Sequence, residues 1–479
     1  MHILRAQYRA LLVLLVVNGG FYAATFREGH DWGGDFSLYI HHAKNLVEGI
    51  PYKDIGYIYN PKNATVGPET FPPVFPLVLA PVYALFGLNL TAMKVELLFV
   101  FLIALWVLFK AFEAELSPAY ALLLVAIIGF NPCFWEFKDH ILSDIPFLLF
   151  VYLSLLTIHR AFHAEHSRRD NLLAGLLAGV LMYLAYGARS PGLVLIPSLW
   201  AYELLRRRRI SRLTLSATIV FVCLMVVQGV LAHNDSSYGD QFASMTVETI
   251  FENVCKYAQR MAIFWDNGSF RLGRHALLLV TALLAFTGFV IRIRVKVTIF
   301  EVFGLFYTLL ILLFPFSQLR YLFPLFPLYV AYMLRAIAAC SRGIFRMPQK
   351  FIPIGAAMLM IAMTYFAQYS HAEYGAFTPG VTTSTAQELF VFITQQTPSD
   401  AVCIFRKPRV LALFTDRQSG MYHRPGSDQE LLDYFTSLGV NYIITSPLDE
   451  LFFTEFVQRH NVSWNVRFTN SDFTVYQIK

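Results

Sequence analysis

Long apolar segments recur along almost the whole chain, and they set the limits of what it can fold into. About eleven of them approach the ~20 mostly apolar residues that a helix needs to cross the hydrocarbon core of a bilayer. The sequence therefore predicts a multi-pass bundle of membrane helices. The expected spans lie near residues 8–25, 91–112, 117–133, 145–162, 171–187, 191–205, 213–232, 275–291, 298–315, 321–338 and 351–367.

Composition excludes the other classes of chain. Hydrophobic residues make up 56% of the 479 residues and charged residues only 15%, which is too little charge for the surface of a soluble enzyme. Disordered chains, coiled coils and disulfide-rich secreted modules are excluded as well. The five cysteines are scattered without metal-ligand spacing, so neither a disulfide framework nor a zinc site is predicted.

Basic residues divide the loops into two alternating sets. The loops of one set are short and rich in Lys and Arg, as cytoplasmic loops are, whereas the others are longer and more acidic. We therefore expect a cytoplasmic N-terminus, with the first apolar segment retained as an anchor, and an external C-terminus. The basic set contains Arg5, Arg9, Lys110, Arg160, Arg168, Arg169, Arg206, Arg207, Arg208, Arg209, Arg212, Arg292, Arg294, Lys296, Arg342, Arg346 and Lys350.

Two external loops, residues 26–90 and 233–274, are long enough to hold structure. Apolar residues repeat with helical spacing over 36–50 and over 247–261, which predicts one amphipathic helix in each loop. The Pro-rich apolar stretch that follows the first helix is interrupted by Pro76 and Pro81, so we expect it to lie in the membrane interface.

The C-terminal part of the chain changes character near residue 369. Short strand patterns such as "AVCIF" and "NYIIT" alternate there with helix patterns such as "DQELLDYFTSL", which Ser427 can cap and Gly439 can end. The sequence thus predicts two domains. Residues 1–368 form the transmembrane domain, and residues 369–479 form a small external α/β domain.

Two arginines lie on the expected external side, where the charge pattern of the loops does not predict basic residues. Arg189 and Arg320 lie in very short external turns, "YGARSPG" and "SQLRYLFP". One interpretation is that both side chains simply extend toward water from the membrane boundary. The other is that they face an external cavity and bind an anion, because a guanidinium stays charged and meets two phosphate oxygens at once. At that depth the anion would be the phosphate of a lipid.

Acidic residues occupy the same external layer. Asp35 opens the first amphipathic helix, and Asp139 and Asp144 flank the start of the fourth span in "FKDHILSDIP". Both Asp35 and Asp144 could simply cap their helices. Alternatively, a carboxylate among arginines and interfacial aromatics suits chemistry on a lipid-linked phosphate, since it can take the proton from an attacking hydroxyl.

Six segments resemble, in chain order, those of the GT-C glycosyltransferases. They cover most of the chain, and the most similar branch comprises the protein O-mannosyltransferases, aminoarabinose transferases and lipopolysaccharide-sugar transferases. The segments are "GGDFSLYIHHAKNLVEGIPY", "FPPVFPLVLAPVYALFGLN", "ILSDIPFLLFVYLSLL", "GARSPGLVLIP", "LRYLFPLFPLY" and "TPSDAVCIFRKPRVLALFTDRQS".

The resemblance implies an enzyme that moves a sugar from a polyprenyl-phosphate donor to an acceptor hydroxyl on the outer face, with inversion and without a metal or other cofactor. By position, Asp35 would be the base and Asp144 a second catalytic carboxylate. Where many members have two adjacent acidic residues, this chain has Gly33 and Gly34 before Asp35, so Asp31 stays open as the base. The residues expected to bind substrate are Arg189, Arg320, Tyr39, Asp139, His140 and Tyr321.

Other functions fit the same topology. A transporter or flippase of lipid-linked sugars would place ionisable residues in mid-bilayer, whereas this chain keeps them at the outer boundary. An O-antigen ligase or polymerase would need a large outer loop later in the chain. We expect a bacterial inner membrane, a glycan, lipid or protein as acceptor, contact with membrane lipid, and no nucleic-acid partner.

Overall fold

The computed structural model describes residues 2–63, 67–163, 168–231, 246–266, 271–344 and 352–478. The predicted helical architecture is confirmed, because a helix lies at each of the eleven expected spans. These helices are α1 (His2–Ala24), α4 (Leu90–Leu116), α5 (Pro118–Gly129), α7 (Asp144–His163), α8 (Arg168–Ala188), α9 (Leu195–Arg207), α10 (Arg212–Leu231), α12 (Arg271–Val295), α13 (Ile299–Leu312), α14 (Phe326–Ile344) and α15 (Ile352–Ser370).

The helices fall into two groups by length and apolar composition. Among the described residues, five helices are long and apolar enough to cross a membrane: Leu90–Leu116, Asp144–His163, Asn171–Ala188, Arg212–Val230 and Gly273–Val295. The shorter apolar helices are Val74–Phe86, Pro118–Gly129, Ile299–Leu312 and Phe326–Cys340. Helix α10 leaves large apolar side chains such as Val226 and Val230 exposed, which is what contact with lipid requires.

Small residues let two of the long helices approach closely. Helix α8 carries Gly175 and Gly179 four residues apart, and a Cβ built on Gly179 would lie 2.5 Å from the carbonyl oxygen of Ala217 in helix α10. This is the small-residue spacing that membrane helices use to bring their backbones together. Close backbone approach therefore contributes to the packing of α8 against α10, beside ring contacts such as Tyr186 with Phe221.

In the described parts of the chain, four further helices lie in the connections between the bundle helices. Helix α2 (Gly34–Glu48) ends at Gly49, whose positive φ of 70° suits glycine. Helix α3 (Val74–Phe86) is continuous, so the expected interruption is wrong: Pro76 falls in the first turn, where no amide donor is needed, and Pro81 is accommodated inside the helix. Helices α6 (Pro132–Phe137) and α11 (Val247–Ile263) complete the loop helices.

The C-terminal region, residues 369–479, contains most of a six-stranded mixed sheet. Its strands are β2 (Val402–Ile404), β3 (Gln418–Gly420), β4 (Tyr442–Thr445), β5 (Asn465–Thr469) and β6 (Thr474–Gln477). The helices beside them are α16 (Ser384–Gln396), α17 (Pro408–Thr415), α18 (Asp428–Leu438) and α19 (Leu451–His460). As expected, Ser427 caps α18 and Gly439 ends it.

The sixth strand comes from the first long loop. Strand β1 (Tyr57–Ile58) pairs in parallel with β3, with Tyr57 opposite Ser419, and gives the strand order β1-β3-β2-β4-β6-β5. Helix α17 also packs on α2. The first long loop and the C-terminal region are therefore joined by backbone pairing and by helix packing, which brings the beginning of α2 against the C-terminal region.

Candidate active site

Asp35 lies in the first turn of α2, but it does not cap that helix. The N-cap residue is Gly33, whose φ and ψ of −62° and 128° are extended. The Asp35 carboxylate instead faces two guanidinium groups. Arg320 Nη2 donates to Asp35 Oδ2 at 3.0 Å, and Arg409 Nη1 lies 3.5 Å from Asp35 Oδ1.

Asp144 is the first residue of α7 and lies deep beside the same arginines. Its side chain is 2% exposed, and it forms an ion pair with Arg189. Arg320 Nη1 lies 3.6 Å from Asp144 Oδ2, so Arg320 bridges the two carboxylates. The guanidinium groups of Arg189 and Arg320 also lie 5.2 Å and 6.0 Å from the ring centre of Tyr321.

Backbone geometry explains how these residues meet. Arg189 precedes the 3₁₀ turn Ser190–Val194, and Arg320 lies within the 3₁₀ turn Leu319–Leu322. The side chains of the two arginines are only 13% and 16% exposed, so they point toward the carboxylates rather than toward water. Each guanidinium is therefore largely buried and is ion-paired with at least one carboxylate.

Tyr39 supports this cluster from the same face of α2 as Asp35. Its hydroxyl and that of Ser143, the residue before Asp144, are hydrogen-bonded at 2.9 Å. Its ring packs against Phe71 and Phe75 at centroid distances of 4.5 Å and 4.7 Å. Burial raises the pKa of the Tyr39 phenol, so this hydroxyl is neutral and acts as a hydrogen-bonding group.

Charge decides the state of Asp35. Burial alone would raise the pKa of its carboxyl group, but the nearby Arg320 and Arg409 outweigh burial and lower the pKa below its ordinary value. The carboxylate is therefore ionised at neutral pH and able to accept a hydrogen bond or a proton.

Asp139 lies apart from this cluster. Its side chain is 1% exposed and is held by Lys138 Nζ at 2.5 Å and by Lys94 Nζ at 3.7 Å. The backbone amide of Arg27 donates to it at 2.9 Å. These contacts join the first long loop to the segment before α7, and they leave Asp139 without a contact to the Asp35 and Asp144 carboxylates.

His140 belongs to a group of possible metal ligands. One ligand atom from each of His30, Asp31 and His140 lies within 4.8 Å of the others, and two imidazoles with a carboxylate suit zinc. However, His30 Nδ1 is 2.7 Å from Asp31 Oδ1, and the Ile141 amide donates to His30 Nε2 at 3.2 Å. Both ring nitrogens of His30 thus have protein partners. Burial lowers the pKa of His140 to about 4.

Arg409 is the site residue that sequence analysis missed. A weaker signal was present, because "FRKPR" at residues 405–409 is a cluster of cations on the expected external side, although it does not lie in a short turn between spans as Arg189 and Arg320 do. This segment runs into helix α17, which begins at Pro408 and which the sequence analysis did not predict. Without that helix there was no reason to bring Arg409 near Asp35.

The chain resembles known proteins in sequence over part of its length and in fold over most of it. A family model described as dolichyl-phosphate-mannose-protein mannosyltransferase matches residues 70–233. No curated protein sequence matches the chain. The structure of ArnT from Cupriavidus metallidurans bound to undecaprenyl phosphate is similar with a TM-score of 0.63 and 14% identity, covering 99% of this chain and 98% of ArnT.

Oligosaccharyltransferase structures from Archaeoglobus fulgidus are similar as well. One, in complex with Zn and sulfate, has a TM-score of 0.62 and 12% identity, covering 91% of this chain and 68% of that protein. Another, AglB with an inhibitory peptide and a dolichol-phosphate, has a TM-score of 0.59 and 12% identity over 91% and 69% of the two chains.

The predicted resemblance is confirmed by these matches. Residues 70–233 match the model of a glycosyltransferase family, and the chain has the fold of the GT-C glycosyltransferases whose structures it resembles. Within that class, the similarity to ArnT extends over almost the full length of both chains.

Proposed function

We propose that this glycosyltransferase moves a sugar from a polyprenyl-phosphate donor to an acceptor hydroxyl, with inversion at the anomeric carbon. One observation carries the proposal: Asp35 and Asp144 meet Arg189 and Arg320 in a single partly buried cluster. Two carboxylates with two arginines provide both a base and a phosphate-binding group.

Arg189 and Arg320 would hold the lipid phosphate. A guanidinium has five N–H donors, so each arginine can keep its carboxylate partner and still donate to phosphate oxygens. The ligands of similar proteins support a lipid phosphate, because one structure contains undecaprenyl phosphate and another dolichol-phosphate. Tyr321 lies against both guanidinium groups and would limit their movement.

The reaction would be a single displacement. The acceptor hydroxyl gives its proton to Asp35 while its oxygen attacks the anomeric carbon from the face opposite the phosphate. The bond between that carbon and the phosphate oxygen breaks, and its electron pair stays on the departing phosphate, where Arg189 and Arg320 stabilise the added charge. Attack from the opposite face inverts the configuration, and the arginines supply the positive charge without a metal.

Asp35 is preferred to Asp31 as the base. Asp31 is occupied by His30 and by the Gly33 amide, which donates to it at 3.1 Å. Asp35 faces the phosphate-binding arginines directly. Asp144 would orient Arg189 and Arg320, Tyr39 would support the acceptor side, and Asp139 and His140 would shape the neighbouring loop.

The location of this site follows from the charge pattern of the loops. We place the N-terminus in the cytoplasm and the Asp35 layer on the periplasmic side of a bacterial inner membrane. The division into residues 1–368 and 369–479 is part of the same proposal, although β1 from the first long loop contributes to the C-terminal sheet. The acceptor would be a glycan, lipid or protein that reaches this side.

The test is transfer by the purified protein in lipid nanodiscs. A panel of undecaprenyl-phosphate sugars, hexoses and pentoses, is supplied, and mass spectrometry identifies any polyprenyl phosphate that co-purifies. We expect release of undecaprenyl phosphate from at least one donor, with transfer to an acceptor or to water. If the protein carries no polyprenyl phosphate and releases none from any donor, the proposal is wrong.

A further inference from the structure

Arg409 is a buried cation that the C-terminal region contributes to the Asp35 cluster. Its side chain is only 4% exposed. A charged group that is buried to this extent needs partners that offset the cost of its desolvation. Nη1 lies 3.5 Å from Asp35 Oδ1, and Nη2 donates to the Pro68 carbonyl oxygen at 2.6 Å. The guanidinium therefore connects two parts of the first long loop, the candidate base and the backbone at Pro68.

Rings and glycines fix the position of this guanidinium. Its central carbon lies 4.9 Å from the ring centre of Tyr57 and 5.4 Å from that of Phe71. A Cβ on Gly67 would lie 3.4 Å from Nη2, and one on Gly34 would lie 3.7 Å from Cδ, so the backbone at both glycines passes close to the side chain. Arg409 is thus held on several sides rather than extended into solvent.

The backbone around Arg409 is anchored too. Arg409 follows Pro408, the first residue of α17, and that helix packs on α2, which carries Asp35. The strand β3 that follows α17 pairs with β1 of the first long loop. Arg320 therefore approaches Asp35 from the helical bundle, and Arg409 approaches it from the C-terminal region.

We infer that the C-terminal region completes the active site through Arg409, a positioning residue that holds the Asp35 carboxylate in the orientation needed to receive the acceptor proton. This inference rests on the proposed function. A carboxylate held by one arginine can rotate about its side-chain bonds, whereas two arginines on different oxygens fix both oxygens. Fixed orientation of a reacting group can contribute several orders of magnitude to a rate, so its partial loss is measurable.

The pH dependence of turnover distinguishes this positioning role from a purely structural one, because Arg409 is a charge next to Asp35. The charged groups near Asp35 are Arg320 on the turn before α14, Arg409 on α17, and the more distant Arg189 and Lys407, while Asp144 lies behind Arg320. Removal of Arg409 takes away one of the two nearest cations. The acidic limb of the rate profile should then move to higher pH.

The test compares Arg409→Gln with the matched control Arg406→Gln in donor turnover. Arg406 lies in the same segment but pairs with Glu450 at 3.0 Å. For Arg409→Gln we expect kcat to fall at least about tenfold, the donor KM to stay within about twofold, and the acidic limb to rise by about one pH unit. Arg406→Gln should match the wild type, and Arg409→Lys should recover part of the loss.

A second comparison separates positioning from folding. In an Asp35→Asn background, Arg409→Gln should cause no further loss of turnover, because its effect passes through Asp35. Provided that the wild type turns over donor, either of two results would overturn the inference. One is equal activity of Arg409→Gln and Arg406→Gln. The other is that Arg409→Gln lowers turnover by the same factor in the Asp35→Asn background as in the wild type. A wild type that turns over no donor would instead overturn the proposed function on which the inference depends.

Discussion

Arg320 is the residue that links the two carboxylates, since its two terminal nitrogens approach Asp35 and Asp144 separately. A lysine would keep the charge but offers a single nitrogen that cannot reach both partners in this way. The sequence could single out Arg320 because a cation in an external turn is unusual. It could not show that Arg320 bridges two carboxylates, which requires the turn Leu319–Leu322 to lie beside the start of α7.

Arg320→Lys is therefore expected to lower kcat/KM for the polyprenyl-phosphate donor on the order of 100-fold, because one of the donors to the departing phosphate is lost. Steady-state turnover in nanodiscs measures this. The matched control is Lys256→Arg, an exchange on an exposed i,i+4 ion pair with Glu252. Similar kinetics for Arg320→Lys and the wild type would contradict the proposed contact with phosphate.

The titration of Asp35 gives a prediction at the same scale. Because the pKa of Asp35 is lowered in the folded protein, its ionised form is favoured and adds stability above the pKa of the unfolded chain. This contribution is lost as the pH falls through the folded pKa. We expect turnover and thermal stability to show no loss due to Asp35 between pH 8 and about pH 5. A fall in turnover or in thermal stability near pH 6–7 that is absent from Asp35→Asn would show that the Asp35 carboxyl group is not held in its ionised form.

At the scale of elements, periodicity and caps were sufficient for the long helices and for α18, whose Ser427 and Gly439 act as expected. Short elements fixed by distant contacts could not be predicted. Strand β1 has two residues and β3 contains Gln418, Ser419 and Gly420, none of which favours a strand by itself. These strands form because their backbone groups pair with each other and with β2.

The α8–α10 packing provides an element-level prediction. Gly179→Ala places a Cβ within 2.5 Å of the Ala217 carbonyl oxygen, so the two helices must separate. We expect a destabilisation of about 1–3 kcal/mol, seen as a lower Tm in detergent. Gly229→Ala on α10 is the control, because a Cβ there has no described atom within 4 Å. An unchanged Tm for Gly179→Ala would contradict close packing of these helices.

At the scale of the whole molecule, the first long loop and the C-terminal region meet in one site with the helical bundle. The sequence predicted both parts and most of their elements, because apolar length and strand alternation are local signals. It did not predict that α17 and β1 would bring them together around Asp35, since that arrangement depends on pairing between residues far apart in the chain.

Topology can be tested by thiol labelling of single-cysteine variants. Ser471 lies exposed in the turn between β5 and β6, and Arg209 lies exposed after α9. With the native cysteines replaced by serine, we expect a membrane-impermeant reagent to label Ser471→Cys in intact spheroplasts and to label Arg209→Cys only after permeabilisation. The reverse pattern would place the Asp35 layer in the cytoplasm.

Turnover by Asp35→Asn tests the central claim most directly. The substitution keeps the shape of the side chain but removes the proton acceptor, and Asp54→Asn, an exposed residue of the same loop, is the matched control. With an undecaprenyl-phosphate sugar that the wild type uses, we expect Asp35→Asn to lose at least about 100-fold in kcat while Asp54→Asn keeps wild-type activity, with an inverted anomeric product by NMR. Full transfer by folded Asp35→Asn, or a product of retained configuration, would contradict the account.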